Sequence, residues 1–424
     1  MAARSPLPWD DRQDELLTGL RHLGDPVTDD RVRSLDVPDA RALFERLVDD
    51  IRGDPEPGRD WVATYFTRRP TWPDWVDRAL VEEGQRFYRS QLWSLNVAFM
   101  LGSLPMSYLG HHGAEVLCRT GRMTRDAQRR LFETALLVME LAEPGGLGDG
   151  TDGGPVGDGY LTVLRLRLLH AAARTSLLHL GTDQRPVTAG PWDPDEWGAP
   201  VSQLDLLGTM WCFSLTSMHA LTVARRPPTP AEEAAWVHLW CLVGHLLGLD
   251  ASPAGQELPM APDEAKRCFD AVQRLQFQGS PAGQALTTSL LDVGHRRIPF
   301  KRWDHLVEAL VRRNLGDEYA DELGVDPHDD PELVARAEWF WCLTTGEDAP
   351  RGGTRTERLG RARVKRYLLR RLARHLMDED HDLRSPSAVA RLVESYELSG
   401  WDRRRARMTA RAERAIGRRR GPPR

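Results

Sequence analysis

The chain of 424 residues contains very little lysine and no paired cysteine motif. Its lysines are Lys266, Lys301 and Lys365, so arginine supplies almost all of the basic charge. Five scattered cysteines, none in a Cys-x-x-Cys pair, argue against a disulfide framework and against a cysteine-built zinc site. The absence of Cys-x-x-Cys-His excludes a covalently attached c-type haem. A net charge of -5 gives no indication of nucleic-acid binding.

Several catalytic and metal-binding motifs are also absent. The chain has no Glu-x-x-His for a bundle-type di-iron site and no His-Glu-x-x-His for a helix-borne zinc site. It has no Gly-x-Ser-x-Gly elbow, which weakens the case for a hydrolase. The glycine-rich stretch 145–159 lacks the Gly-Lys-Ser/Thr ending of a phosphate loop, so we expect it to be a flexible connection.

Helix signals dominate the sequence. Thr124 is suited to cap a long apolar-periodic run that stops at Pro144, and a second run begins with proline and acidic residues near position 230. No stretch of useful length shows the alternation of a strand. The sequence therefore predicts an all-α protein with a large helical core.

Three runs, 90–114, 206–224 and 234–249, carry no Asp, Glu, Lys or Arg. Each approaches the length of a membrane span. Sparse polar residues within helices that are apolar on all sides are typical of the interior of a large helical protein. We therefore predict core helices and no membrane span.

One apolar helix, 164–180 (LRLRLLHAAARTSLLHL), carries an unusual set of basic residues. Arg167, His170 and Arg174 fall on one helical face, and three small alanines follow the histidine. An imidazole beside small residues could ligate haem iron, with the arginines paired to the propionates. The alternative is a buried histidine bonded to a backbone carbonyl, with the arginines paired to acids elsewhere.

The order of motifs along residues 87–249 carries a resemblance. RRLFETALLVMEL is followed by a glycine-rich loop, LRLRLLHAAAR, WGAPVSQLDLLGTMWCFS and AAWVHLWCLVGHLLGL. This succession resembles the latex-clearing rubber oxygenases and the wider MpaB-like oxygenase family. The resemblance implies an enlarged globin-like helical core with extra helices.

The resemblance also implies site residues. His170 corresponds to the proximal ligand of a non-covalent b-type haem, and Arg167 and Arg174 match the arginines around that ligand. Arg130 and Thr134 match the residues that line the distal side. Gln203, Asp205 and Thr209 match the polar motif that follows, and Thr209 is expected at the cofactor.

The chain departs from the rubber oxygenases on the distal side. They carry a lysine just before the distal threonine, where this chain has Glu133. We expect Arg130 to donate a hydrogen bond toward oxygen, and Thr134 to shape that side. Glu133 or Glu115 is expected to move a proton.

Taken together, these features predict a haem b-dependent oxygenase that uses O₂ on a small apolar, alkene-containing molecule inside the cell. The alternatives are a haem-binding O₂ sensor or carrier without turnover, and a helical scaffold without a cofactor. The start MAARSPLPWDD shows no leader pattern, so a cytoplasmic location is expected.

We predict three regions along the chain: a helical extension at 1–81, the haem-binding oxygenase core at 82–300, and C-terminal helices with an arginine-rich tail at 301–424. The arginine-dense part after position 351 is expected to form solvated helices. A nucleic-acid or acidic-lipid contact is the alternative for that tail.

Overall fold

The structure is a computed structural model that describes most of the first three quarters of the chain. The described residues are 11–327 and 333, except for 36–41, 44–64, 66–70, 121–126, 152–153, 181–190, 225, 256, 259 and 298–304. Side chains at 11, 12, 93, 127–130, 132, 180 and 296–297 are also outside the description. The arginine-rich tail and the proposed cap Thr124 therefore lie outside the described residues.

The described elements are helices joined by turns, which confirms the all-α prediction. Among these residues the β-structure is limited to an isolated bridge between Gly110 and Phe277. In chain order, the helices are α1 (Asp11–Gly19), α2 (Pro26–Arg33), α3 (Arg78–Ser90), α4 (Leu92–Ala98), α5 (Leu104–Tyr108), α6 (His111–Arg119), α7 (Ala127–Leu141), α8 (Asp158–Thr175), α9 (Pro194–Trp197), α10 (Gln203–Trp211), α11 (Ser217–Val223), α12 (Pro230–Leu246), α13 (Pro262–Gln276), α14 (Pro281–Arg297), α15 (Leu306–Leu315) and α16 (Asp317–Glu322).

Some of these helices are joined without a turn between them. π-helical segments, Phe99–Ser103, Ser176–Leu180 and Cys212–Thr216, follow α4, α8 and α10. Short 3₁₀ segments, Leu20–His22 and Ser252–Ala254, follow α1 and precede α13. The segment from α10 through α11 therefore continues as one long helical rod.

The predicted core helices are buried. Helix α12 is covered along most of its length and packs closely along α3, where a side chain at Gly84 would lie 2.8 Å from the Ala235 carbonyl oxygen. The ring of Trp236 stacks on that of Tyr88, with 6.1 Å between centroids. By length and composition the rod Gln203–Val223 could cross a membrane, but most of it is buried in the fold. It is thus a core element here, as predicted.

Helices α7 and α8 form an antiparallel pair. The Thr162 hydroxyl donates a hydrogen bond of 2.7 Å to Glu140 Oε2. Gly159 lies directly against the end of α7, since a side chain there would lie 2.7 Å from the Glu140 carbonyl oxygen. The described part of the glycine-rich connection is folded, because Gly157 N–H bonds to the Gly148 carbonyl at 2.8 Å.

The N-terminal helices α1 and α2 pack on the core helices α13 and α8, respectively. Asp25 and the helix that it starts lie along α8, beside the predicted ligand face. The three-region division of the chain stays a prediction, but the described part of the N-terminal region is in contact with the core.

The close approach of α7 and α8 yields a stability prediction. Gly159→Ala would force the two backbones apart, so we expect a loss of about 1–3 kcal/mol in the free energy of unfolding. Gly19→Ala is the matched control, because a side chain at Gly19 meets nothing within 4 Å. Urea denaturation measures both variants, and equal midpoints would contradict the close packing.

Candidate functional site

His170 lies deep in the fold with both ring nitrogens free of hydrogen bonds to the described residues. Nδ1 is buried and has no partner. Burial, and next the charge of Arg174, lower the pKa of His170 to about 3, so the ring is neutral at pH 7. The alternative of a core histidine bonded to a backbone carbonyl is therefore not what the structure contains.

The ring of His170 also keeps an accessible edge. His170 keeps part of its surface accessible, although Leu168 and Ala171 beside it on the helix are completely buried. Because Nδ1 is covered, the accessible part of the ring includes its other edge, where Nε2 lies. The unprotonated nitrogen of a neutral, accessible imidazole can coordinate a metal ion or accept a hydrogen bond.

The three alanines after His170 have small side chains, so neighbouring groups can come close to the backbone of α8 there. Ala171, Ala172 and Ala173 are nearly or completely buried. Ala173 packs in a small cluster with Val116 of α6, so α6 approaches α8 one turn beyond the histidine. Close approach of a flat group or a neighbouring helix is possible only where side chains are this small.

The two arginines on the His170 face are paired with aspartates of the N-terminal region. Arg167 binds Asp25 through both guanidinium arms, with Nε–Oδ2 2.6 Å and Nη2–Oδ1 3.0 Å. Arg174 Nε donates to Asp29 Oδ1 at 2.7 Å. Arg174 Nη2 makes no hydrogen bond but is completely covered. These contacts join the arginines to aspartates and give no support to pairing with haem propionates. That pairing stays a prediction.

The two ion pairs differ in their electrostatics. Burial by itself raises the pKa of a carboxyl group, but the hydrogen bonds and charge of Arg167 outweigh it and lower the pKa of Asp25. For Asp29, burial prevails over the attraction of Arg174, and the pKa is raised. The first pair is therefore the more favourable of the two.

Arg174 also binds a strained loop. Its Nη1 donates to the Val201 carbonyl oxygen at 2.9 Å. Val201 has φ 50, in the left-handed region that β-branched residues avoid. Such strain costs about 1–3 kcal/mol and persists only where neighbouring contacts fix the backbone. Here the fixing contacts are Arg174 and the capping box that Ser202 forms at the start of α10.

The predicted polar motif at the start of α10 is a junction of chain segments. Gln203 Nε2 donates to the carbonyl oxygens of Gly24 at 2.8 Å and Gly248 at 2.9 Å, and its Oε1 accepts from Asp250 N–H at 2.7 Å. Asp205 accepts from the Ser202 N–H at 2.9 Å, and burial raises its pKa. Thr209 lies one turn later and is exposed. Its predicted place at the cofactor is not tested by these contacts.

The predicted distal residues of α7 pass beside His170. Counting from the Glu140–Thr162 contact, Glu133 lies seven residues back and His170 eight residues on, about 10–12 Å along each helix. Glu133 is buried and Thr134 is half-buried. Arg130 belongs to the same helix, but its side chain lies outside the described residues.

The other predicted acid, Glu115, is held in a buried ion pair. Arg119 Nε donates to Glu115 Oε1 at 2.7 Å, and both side chains are at most 6% exposed. The Arg119 guanidinium also lies over the Trp197 ring, 4.8 Å from its centroid. Glu115 and Val116 are neighbours on α6, so this ion pair lies close to the part of α6 that packs on Ala173.

The tryptophans and the other histidines of the apolar helices fall into two groups. Trp211 and Trp240 are buried in the core, and His238 is buried and accepts a hydrogen bond from the Asp77 N–H at 2.9 Å. His179 and His219, by contrast, are exposed although they lie on apolar helices. The described part of the chain contains no group of three His, Cys, Asp or Glu side chains that could hold a metal ion.

With this geometry in view, the comparisons with known proteins define the class and then the family. The class is that of the oxygenases: a family described as ER-bound oxygenase mpaB/B'/Rubber oxygenase, catalytic domain, matches residues 90–345, more than half of the chain. The chain belongs to this family, and the resemblance predicted from the sequence is confirmed.

Two further likenesses agree with the family. The rubber oxygenase of Streptomyces sp. (strain K30) is 23% identical over 340 residues, which cover 78% of this chain and 74% of that protein. The structure of latex clearing protein LCP in the closed state matches 86% of this chain and 90% of that chain, with a TM-score of 0.56 and 20% identity. That second likeness shows a shared helical fold.

The structure adds residues that the sequence did not indicate: Asp25, Asp29 and Val201, which bind the arginines of the His170 face, and His112 on α6. His112 is buried, its Nδ1 has no partner, and its ring centroid lies 3.7 Å from that of His111. Burial, and next the charges of His111 and Arg21, lower the pKa of His112 to about 3.

Removal of His112 is expected to change how stability depends on pH. The unfolded chain takes up a proton on this histidine near pH 6.5, whereas the folded chain does so only near pH 3, so stability falls as the pH drops between these values. We expect His112→Asn to flatten the decline between pH 6.5 and 5 by about 1–2 kcal/mol. Thermal melts across this range measure the slope. The same slope in His112→Asn as in wild type would contradict the burial of this ring, and exposed His219→Asn is the control.

The Gln203 junction gives a second stability prediction. Gln203→Leu keeps the volume but leaves two carbonyls and one N–H without their partner, so we expect a loss of about 2–4 kcal/mol. Gln284→Leu is the control, since Gln284 is exposed and donates to a single carbonyl, that of Glu322. Equal urea midpoints in the two variants would show that the junction does not hold its segments together.

Proposed function

We propose that the protein is a haem b-dependent oxygenase in which His170 is the proximal iron ligand, and that its substrates are O₂ and a small apolar, alkene-containing molecule. The observation that carries the proposal is the His170 ring: neutral, deep in the core, and without a hydrogen bond on either nitrogen. Membership of an oxygenase family supports the reaction class.

The residues around His170 fit a haem. Nε2 lies at the accessible edge of the ring, and the small alanines at 171–173 leave room for a flat group on the adjoining helix surface. A porphyrin supplies four iron ligands of its own, so a single imidazole is a sufficient protein ligand set. Bound haem would supply the activation of O₂, and the protein would supply orientation and proton transfer.

The chain's own residues have separate tasks in this proposal. His170 holds the iron through Nε2, and its low pKa keeps that nitrogen unprotonated at neutral pH. Arg130 and Thr134 shape the side of α7 that faces the substrate and oxygen. Glu133, buried at the level of His170 along α7, moves the proton. We favour Glu133 over Glu115 because Glu133 lies on α7 at about the level of His170, as counted from the Glu140–Thr162 contact.

The substrate class and the cellular location are two further parts of the proposal. A small apolar molecule suits a site whose neighbouring side chains are leucine and alanine. A cytoplasmic location stays a prediction.

The ligand assignment is tested by absorption spectra of the full chain produced with a haem precursor. We expect a Soret band in the wild type that is lost or shifted in His170→Ala. The control is His179→Ala, which removes an exposed histidine from the π-helical turns just beyond α8 and should keep the wild-type band. A band that is indifferent to His170 would overturn the assignment, and no band in the wild type would overturn the use of haem.

Turnover separates an oxygenase from an O₂ sensor or carrier. With haem-loaded protein and short alkene hydrocarbons as substrates, we expect the wild type to consume O₂ and Glu133→Gln to lose at least about tenfold in rate while its Soret band is retained. An oxygen electrode and the absorption spectrum measure the two properties. Reversible O₂ binding without consumption, unchanged in Glu133→Gln, would favour the sensor or carrier instead.

A further inference from the structure

We infer that Asp25 and Asp29, at the N-terminal end of α2, are positioning residues for the His170 site, acting through Arg167 and Arg174. This inference rests on the proposed function. Both aspartates lie outside residues 90–345, the range that matches the catalytic domain of the family.

The two ion pairs bracket the ligand. Arg167, His170 and Arg174 occupy one face of α8, spaced by three and four residues, and the aspartates are four residues apart in the neighbouring segment. One pair therefore lies a turn before His170 and the other a turn after it. A rotation or slide of α8 that moved the imidazole would have to break at least one of them.

Both pairs are largely removed from water, which makes them sensitive to loss of a partner. Side-chain exposure is 13% for Arg167 and 3% for Asp25 in the first pair, and 3% for Arg174 and 17% for Asp29 in the second. Removing one member of such a pair leaves an uncompensated charge in the protein interior. Apolar residues of similar volume would stabilise the folded protein at least as well as these buried ion pairs. What the ion pairs add is a fixed geometry between α2 and α8.

The aspartates are themselves held in place. The Thr28 hydroxyl donates to Asp25 Oδ2 at 2.7 Å, and the Asp25 N–H donates to Asp29 Oδ2 at 3.1 Å. These bonds link the two carboxylates into one unit at the start of α2. The unit therefore presents two acceptors at a fixed spacing to α8.

Glycines allow the backbone to come close to this unit. Gly248 has φ +89, and a side chain there would lie 2.6 Å from Asp25 Oδ2 and 2.7 Å from Arg167 Nε. A side chain at Gly24 would lie 2.8 Å from Asp29 Oδ2. Gln203 bonds to the carbonyl oxygens of both glycines. The family's polar motif thus holds the two loops that surround the ion pairs.

The test uses haem-loaded full-length protein with the single substitutions Asp25→Asn and Asp29→Asn. Each keeps the side-chain size and removes the charge. We expect haem to dissociate 10- to 100-fold faster to an apomyoglobin acceptor, with a shifted Soret band, as is typical when support of a metal ligand is lost. Asp30→Asn is the control on the same helix, since Asp30 is exposed and pairs with Arg33.

A double-mutant cycle separates positioning from general loss of stability. In an Arg174→Gln background, Asp29→Asn should add little to the dissociation rate, whereas Asp25→Asn should add clearly more, because its partner Arg167 is still present. Additive effects of Asp29→Asn and Arg174→Gln, or dissociation rates equal to that of Asp30→Asn, would overturn the inference.

A wild type that holds no haem would overturn the proposed function, and a second measurement then decides the inference by itself. Hydrogen exchange of the α8 amides is expected to accelerate in Asp25→Asn and Asp29→Asn but not in Asp30→Asn. Unchanged exchange in α8 would show that these aspartates do not fix the helix.

Discussion

The guanidinium of Arg174 joins three separate parts of the chain, and the His170 site depends on that junction. Nε binds Asp29 ahead of the core, Nη1 binds the Val201 carbonyl before α10, and the side chain belongs to α8 itself. A buried guanidinium requires partners, because an unpaired charge in the interior costs several kcal/mol. The strained backbone of Val201 and the close approach of Gly24 follow from that requirement.

The second constraint is a polar group that the fold leaves unsatisfied. A buried donor or acceptor without a partner costs about 1–3 kcal/mol, and native proteins contain few of them. His170 is such a group, because its Nδ1 is buried on α8 without a hydrogen-bond partner. Exceptions of this kind tend to occur where a ligand completes the set of contacts, which is why the unpaired ring carries the proposed function.

Much of the fold could be predicted from the sequence, because burial follows from hydrophobic periodicity. The uncharged run that became α12 needed no knowledge of its partners to be assigned to the core. The shared face of Arg167, His170 and Arg174 likewise follows from helix geometry alone.

The partners of these residues could not be predicted, since tertiary structure selects them. Asp25 and Asp29 are 142 and 145 residues away from the arginines that they bind. No local pattern distinguishes them from the exposed Asp30 beside them. The exposure of His179 and His219 could not be predicted either, because an apolar helix gives no signal of where it leaves the core.

The claim that the unpaired Nε2 of His170 is the iron ligand is tested most directly by replacing the side chain with a free ligand. In haem-loaded His170→Gly, added imidazole has room to occupy the vacated position. The account predicts an altered Soret band that returns to the wild-type spectrum when imidazole is added, with His179→Gly unaffected throughout. A wild-type spectrum in His170→Gly before any imidazole is added would contradict it.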